Sequence, residues 1–319
     1  MNCLCCGRTL SEDESFWHRK CIRSFFGTET IPEIEISEKS LELLANETIQ
    51  KGLTVPGVQK KLSLHLFSES KPRLTLVDYP TGFILKPQVS DFTALPESEH
   101  LVMSMAEKCG INTVPHGLLT IENEYAYITR RTDRVFKKDK ITDLYAMEDF
   151  CQLNLRLTQD KYKGSYERCA KIIEKYSSRP VLDLTELFIR LVFFFISGNS
   201  DMHLKNFSLI ETAPGSKEYI LSPAYDLLPV NIVMPEDKEQ TALTLNGKKK
   251  NLRRKDFLVF ADNCGIQQKA AEKMINKVIS LENVFIEMTK ESLLPDTMKE
   301  DFTALISERV SVLRPARNA

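Results

Sequence analysis

Long apolar runs are missing from this chain. The most apolar stretch, Leu191 to Ile196, follows Arg190 directly and falls far short of the ~20 residues that span a bilayer. No membrane partner is therefore expected. The first twenty residues are polar and Cys-rich without an apolar h-region, so the pattern is not that of a secretory leader, and the expectation is a soluble, cytoplasmic protein. An excess of charge of one sign is missing too: 43 Lys and Arg stand against 44 Asp and Glu, for a net charge of −1. That balance argues against an extended polyanion-binding surface and so against direct nucleic-acid binding, while leaving room for local basic patches. What the chain does have is length, since 319 residues suffice for two domains or lobes with a substantial core.

Its eight cysteines are unevenly spread. Cys109, Cys151, Cys169 and Cys264 sit singly in apolar patterns, as small core residues do. Cys3, Cys5, Cys6 and Cys21 crowd the start. Cys3-x2-Cys6 followed by His18-x2-Cys21 offers two ligand pairs at knuckle spacing, enough for a closed tetrahedral Zn²⁺ site that would be structural. Cys5 competes with Cys3 or Cys6 for a place in it, and a reduced, metal-free terminus is the plain alternative.

Periodicity divides the rest. Ser37 to Ile49 has helical spacing; Leu62 to Phe67, Arg73 to Val77, Gly82 to Lys86, Leu118 to Ile121 and Tyr125 to Thr129 alternate as strands, the last two split by a turn at Glu122 to Glu124. Glu97 to Lys108 reads as a helix inserted among them, ending at Gly110. From Ala146 onward the pattern is mainly helical: Met147 to Leu157, Tyr166 to Tyr176, Asp183 to Ile196, and Lys255 to the C-terminus, with a short strand pair at Phe207–Ile210 and Tyr219–Leu221. The expected boundary is the charged stretch Arg130 to Thr142, read as a solvated linker face. This gives an α+β fold with a small β-rich lobe and a helical lobe. Its parts are residues 1–30 as a Cys/His zinc-knuckle-like segment, 31–135 as the β-rich lobe and 136–319 as the helical lobe.

The pattern richest in chemistry is Ser197-Gly198-Asn199-Ser200-Asp201-Met202-His203-Leu204-Lys205-Asn206-Phe207-Ser208. Asp201 and Asn206 stand at the Asp-x4-Asn spacing of a phosphoryl-transfer loop, in which Asp orients the attacking hydroxyl and Asn holds a metal. Asp226, in Ser222-Pro223-Ala224-Tyr225-Asp226, offers a second oxygen ligand for Mg²⁺ beside nucleotide phosphates. The plain alternative is an Asx-rich turn after a helix. Lys86, ending the apolar strand Phe83-Ile84-Leu85-Lys86, can neutralise ATP phosphates or simply face solvent; Glu99 or Glu97 in the following helix can pair with it. Between Lys51 and Lys61 neither a Walker A nor a G-x-G-x-x-G loop is present, yet Gly57 with Val58 and Gln59 can approach phosphates through backbone N–H groups. A plain turn into the strand serves equally. His203 can orient the loop or bond to backbone.

Together these stretches resemble the HipA-like serine/threonine kinases, the toxin halves of bacterial toxin–antitoxin modules. The resemblance rests on Gly57-Val58-Gln59-Lys60-Lys61-Leu62, Gly82 to Pro87, Gly198 to Ser208 and Leu221 to Leu227. Glu148 to Gln152 and Lys161 to Ser165 also look like family segments. About fifty residues precede the phosphate loop, which is similar to the short HipT type, whose missing subdomain is a separate protein, HipS, beside the DNA-binding HipB. The resemblance implies a two-lobed protein-kinase-like fold and ATP with Mg²⁺ as cofactors. It implies HipS- and HipB-type antitoxin partners and, as substrate, an aminoacyl-tRNA synthetase, tryptophanyl- or glutamyl-, whose phosphorylation arrests translation. It makes Asp201 the catalytic base, Asn206 and Asp226 the Mg²⁺ ligands and Lys86 the ATP lysine, with Tyr127 to Thr129 lining the adenine hinge. The family's autophosphorylated serine falls at Thr54, a departure, as is Pro56. Two rival readings are a small-molecule kinase of the aminoglycoside or choline type, and an inactive kinase-like binding module.

Overall fold

The computed structural model describes residues 1–35, 61–68, 71–75 and 81–315. The expected helix over Ser37 to Ile49, and the loop carrying Thr54, Gly57, Val58 and Gln59, lie outside the described residues. The chain forms two compact units, one of Met1–His100 with Val114–Leu144, the other of Leu101–Thr113 with Tyr145–Ala319.

In the first unit, β1 (Glu33–Glu35), β2 (Leu62–Phe67), β3 (Arg73–Thr75), β4 (Phe83–Pro87), β5 (His116–Ile121) and β6 (Glu124–Arg130) make one sheet in the order β1-β3-β2-β4-β6-β5. Only β1 and β3 pair in parallel. Along β2 the alternation predicted from sequence is met: Leu62, Leu64 and Leu66 are buried, whereas Ser63, His65 and Phe67 are exposed to differing extents. Alternation also gives β4 two distinct faces. Phe83 packs with Phe25 and Phe26 of α1 (Arg19–Phe26), ring centroids 5.8 and 5.5 Å away. Lys86, on the opposite face, meets α2 (Leu95–Lys108). The N-terminal segment is thus part of the β-rich unit.

The charged stretch expected as a linker is instead a hairpin, β7 (Arg134–Lys137) and β8 (Lys140–Leu144), turning at Lys138 and Asp139. Phe136 anchors it, 5.7 Å from Phe83. At the end of α1, Gly27 adopts φ 77°, and a Cβ there would stand 2.6 Å from the Lys138 carbonyl carbon, so only glycine lets the two approach.

In the second unit, α5 (Pro180–Ile196) runs through the core with Phe188, Phe193, Phe194 and Phe195 almost wholly buried. Such burial is worth about 1.5–3 kcal/mol per side chain. Around it pack α4 (Tyr166–Tyr176), α7 (Arg254–Asn263), α8 (Gln268–Ile279) and α10 (Asp296–Leu313); α6 (Val230–Val233) and α9 (Glu282–Lys290) lie against α10. The expected helix over Met147 to Leu157 is broken up. Met147–Asp149 is β9, in a small sheet ordered β11-β10-β9 with β10 (Ser208–Glu211) and β11 (Tyr219–Leu221). Only Phe150–Leu153 is helical (α3), because Asp149 and Gln152 form a capping box that starts a helix there. Among the described residues no helix is long and apolar enough to cross a membrane.

Candidate active site

Within the first unit, Lys86 Nζ lies 2.5 Å from Glu99 Oε1, with the two side chains only 3% and 2% exposed. This chooses between the two glutamates: Glu99 pairs with the lysine, whereas Glu97 Oε2 is buried without a hydrogen-bond partner and burial raises its pKa. Lys86 Nζ also stands 5.1 Å from the centre of the Tyr127 ring, its neighbour across β4 and β6. Tyr127 to Thr129, the expected hinge residues, lie in β6. Their strand is paired along both edges, to β4 and to β5, and the Thr129 hydroxyl donates to the Pro115 carbonyl. Beside this, His100 of α2 and His116 of β5 meet Nδ1 to Nδ1 at 3.0 Å, so one donates and the other accepts. Desolvation and the facing His116 hold His100 well below the usual histidine pKa.

In the second unit the loop after α5 is braced from several sides. Gly198, at φ 65°, lies where a Cβ would meet Leu305 at 2.5 Å, and this positive φ turns the chain out of the helix. Asp201 Oδ1 accepts from the Tyr162 hydroxyl at 2.6 Å, and Asn206 Nδ2 donates to the Asp201 carbonyl at 2.9 Å. Both residues of the Asp-x4-Asn pair are thus held by side-chain bonds. His203 packs edge-on to Tyr162, centroids 5.0 Å apart, and is buried. Tyr166 donates to the Met202 carbonyl and the Leu204 N–H to the Lys161 carbonyl, both at 3.1 Å. Lys205 reaches Asp149 at 2.7 Å, so the segment from Glu148 to Gln152 serves to clamp the loop.

Asp226 follows β11 in a half-buried turn with φ 57°, a left-handed conformation that Asp tolerates better than most residues. The adjacent Tyr225 hydroxyl bonds the Ser208 hydroxyl at 2.6 Å and donates to the Lys205 carbonyl at 3.1 Å. Ala224 N–H donates to Asn112 O. The turn is thereby tied to the same loop that carries Asp201 and Asn206. The oxygen donors of Asn206 and Asp226 suit a hard cation such as Mg²⁺.

At the N-terminus, ligand atoms of Cys3, Cys6, His18 and Cys21 all lie within 4.8 Å of one another. Cys5 is not in this set: its Sγ points to the His116 carbonyl, 3.8 Å away, and burial, with the neighbouring Cys21 and Cys3, pushes its pKa up. Burial also acts to raise Cys3, but N–H groups of Cys6, His18 and Cys5 aimed at the sulfur outweigh it and leave the thiol below its usual value.

Tyr162 was not foreseen as a site residue. It stands 39 positions from Asp201, and nothing local to it announces the bond.

Comparison with known proteins gives the class first. HipA from Shewanella oneidensis, solved with HipB and operator DNA, superposes with a TM-score of 0.68 at 18% identity, covering 84% of this chain and 70% of its own. The Helicobacter pylori proinflammatory kinase CtkA gives 0.54 at 17%, covering 78% and 90%. The fold is therefore α+β and protein-kinase-like. The family model for the HipA-like C-terminal domain matches residues 53–284, and the chain belongs to that family. A Haemophilus influenzae protein named "Putative kinase" is 26% identical over 83% of this chain and 82% of its own length. Two Sinorhizobium fredii proteins of similar name are 27% and 30% identical over 71% and 62% of the chain, which spans only about half of their length (54% and 49%).

Proposed function

We propose that this chain is an ATP- and Mg²⁺-dependent protein serine/threonine kinase of the HipA type. Asp201 orients the acceptor hydroxyl and takes its proton as the hydroxyl oxygen bonds to phosphorus and the bond to the ADP oxygen breaks. Tyr162 fixes the carboxylate for that task. Asn206 and Asp226 are the metal ligands, and Lys86, steadied by Glu99, meets the nucleotide phosphates. Bound ATP supplies the phosphoryl group, and Mg²⁺ screens its charge.

The observation that carries this assignment is the buried Lys86–Glu99 pair. A lysine merely ending a strand faces solvent. Burying a charge pair is costly, and a phosphate-binding lysine held ready is a reason to retain it. The family resemblance further supports an aminoacyl-tRNA synthetase as acceptor and Thr54 as a site of self-modification. It also supports partners of HipS and HipB type, the latter in keeping with the HipA relative solved bound to HipB.

The test is incubation with γ-labelled ATP and a lysate, followed by mass spectrometry of labelled proteins. One or a few labelled proteins, lost with Asp201→Asn, are expected. Undiminished labelling by Asp201→Asn overturns the assignment, and label confined to small molecules moves it to the small-molecule kinases.

A further inference from the structure

Among the described residues, and outside the candidate active site, a cluster of metal-ligating atoms lies at the N-terminus. His18 presents Nδ1 to two thiols, 3.4 Å from Cys6 Sγ and 3.9 Å from Cys21 Sγ. Ligands around a tetrahedral Zn²⁺, with bonds of ~2.3 Å to sulfur and ~2.0 Å to nitrogen, stand about 3.5–3.8 Å apart. The other ring nitrogen, Nε2, is 3.1 Å from the Thr9 carbonyl, the outer contact that fixes the tautomer of a metal-bound histidine. The His18 N–H points to Cys3 Sγ at 3.3 Å. Cys3 to Gly7 form a tight turn closed by Gly7 N–H to Cys3 O at 2.9 Å, with Gly7 at φ 71° and a bridge between Asn2 and Thr9 behind it. The second ligand pair sits at the start of α1.

What this loop touches is equally specific. β5 is an edge of the six-stranded sheet, and an open edge invites pairing with other chains. Leu4, between two of the cysteines, accepts from the Leu118 N–H at 2.8 Å, and Trp17, next to His18, donates Nε1–H to the Leu118 carbonyl at 2.8 Å. The residue beside Leu118 is Gly117, where a Cβ would stand 2.5 Å from the Trp17 ring. The outward N–H and C=O of Leu118, midway along β5, are thus met by the two residues adjoining the ligand pairs.

We propose that Cys3, Cys6, His18 and Cys21 bind one Zn²⁺, and that the metal staples this loop over the β5 edge of the ATP-lysine unit. Four protein ligands close the coordination shell, so the ion is structural. Released from it, Leu4 and Trp17 lose the geometry that covers Leu118.

The experiment measures zinc, iron and copper in reduced, freshly purified protein, together with hydrogen exchange over residues 116–121. About one zinc per chain is expected. Cys6→Ser, at an exposed ligand whose replacement disturbs packing little, should reduce zinc at least tenfold and speed exchange at the Leu118 amide at least tenfold, with α5 amides unchanged. Cys5→Ser should keep the zinc, and His18→Cys should retain metal and protection. Iron or copper in place of zinc, disulfides seen by intact mass, or loss of zinc from Cys5→Ser overturns the metal assignment. Unchanged Leu118 exchange in zinc-free Cys6→Ser overturns the staple. None of these readings depends on kinase activity.

Discussion

In the first unit the key side chain, Lys86, is secured by an opposite charge in a dry setting, whereas in the second unit the Asp201 carboxylate is secured by a neutral hydroxyl, that of Tyr162. The two solutions carry different penalties. Removing one member of a buried ion pair strands the other and costs about 3–5 kcal/mol. Removing a neutral donor from a half-buried carboxylate leaves a group that water can still serve. On the proposed function, the β-rich unit would couple its chemistry to its stability, and the helical unit, built around the wholly buried face of α5, would keep them apart. On the proposed roles, electrostatic demands explain the division: a lysine that meets phosphates would be held in a dry setting, while a base would stay reachable.

The sharpest way to break this contrast lies at Asp226. Asp226→Asn should lower phosphoryl transfer by roughly 10²–10³-fold, yet leave the denaturation midpoint close to that of the parent, since Asn also tolerates the left-handed φ at this turn. A large fall in stability would show that the second unit couples the two properties after all. Glu99→Gln should do the opposite in kind, losing activity together with about 3–5 kcal/mol of stability, read from a denaturant titration; an unaltered midpoint would remove the buried pair from the account. Tyr162→Phe should cost about tenfold in kcat, with the KM for ATP unchanged, because it loosens the base and not the nucleotide. The smallest effect concerns pH. Because the His100 pKa is lowered in the folded chain, its stabilising share is complete above about pH 6.5, the ordinary histidine value. It is lost as pH falls further, where the unfolded chain takes up a proton that the folded one resists. A decline of the order of 1 kcal/mol per pH unit is expected, absent in His100→Gln and confined by hydrogen exchange to the first unit.

Much of this was legible in the sequence. Leu62 to Phe67 alternates cleanly, and Tyr166 to Tyr176 has helical spacing after the capping Ser165, so both elements appear where periodicity puts them. The Asp-x4-Asn spacing located the loop that the structure braces. The failures share a cause. β9 is a strand because it pairs with β10 some sixty residues later, and no local period reports a distant partner. The β7–β8 hairpin hid behind its charges, although Val135, Phe136 and Ile141 supply its apolar positions. Glu97 and Glu99 could not be separated by spacing alone, nor Cys5 from its neighbours; three-dimensional direction decides both. Tyr162 lay in a segment singled out only by resemblance, and no spacing announced its bond to Asp201.

The bond from Trp17 to Leu118 spans 101 positions. During synthesis at ~5–20 residues per second, the first twenty-one residues wait roughly 5–20 s for the strand they will cover. All four ligands of the proposed zinc site leave the ribosome within that opening stretch. The loop can then take its metal and its final shape at once, keeping Trp17 arranged until β5 arrives. On this view the ion serves as a timekeeper: it turns an early, isolated segment into a finished surface on which the edge strand of the sheet can close.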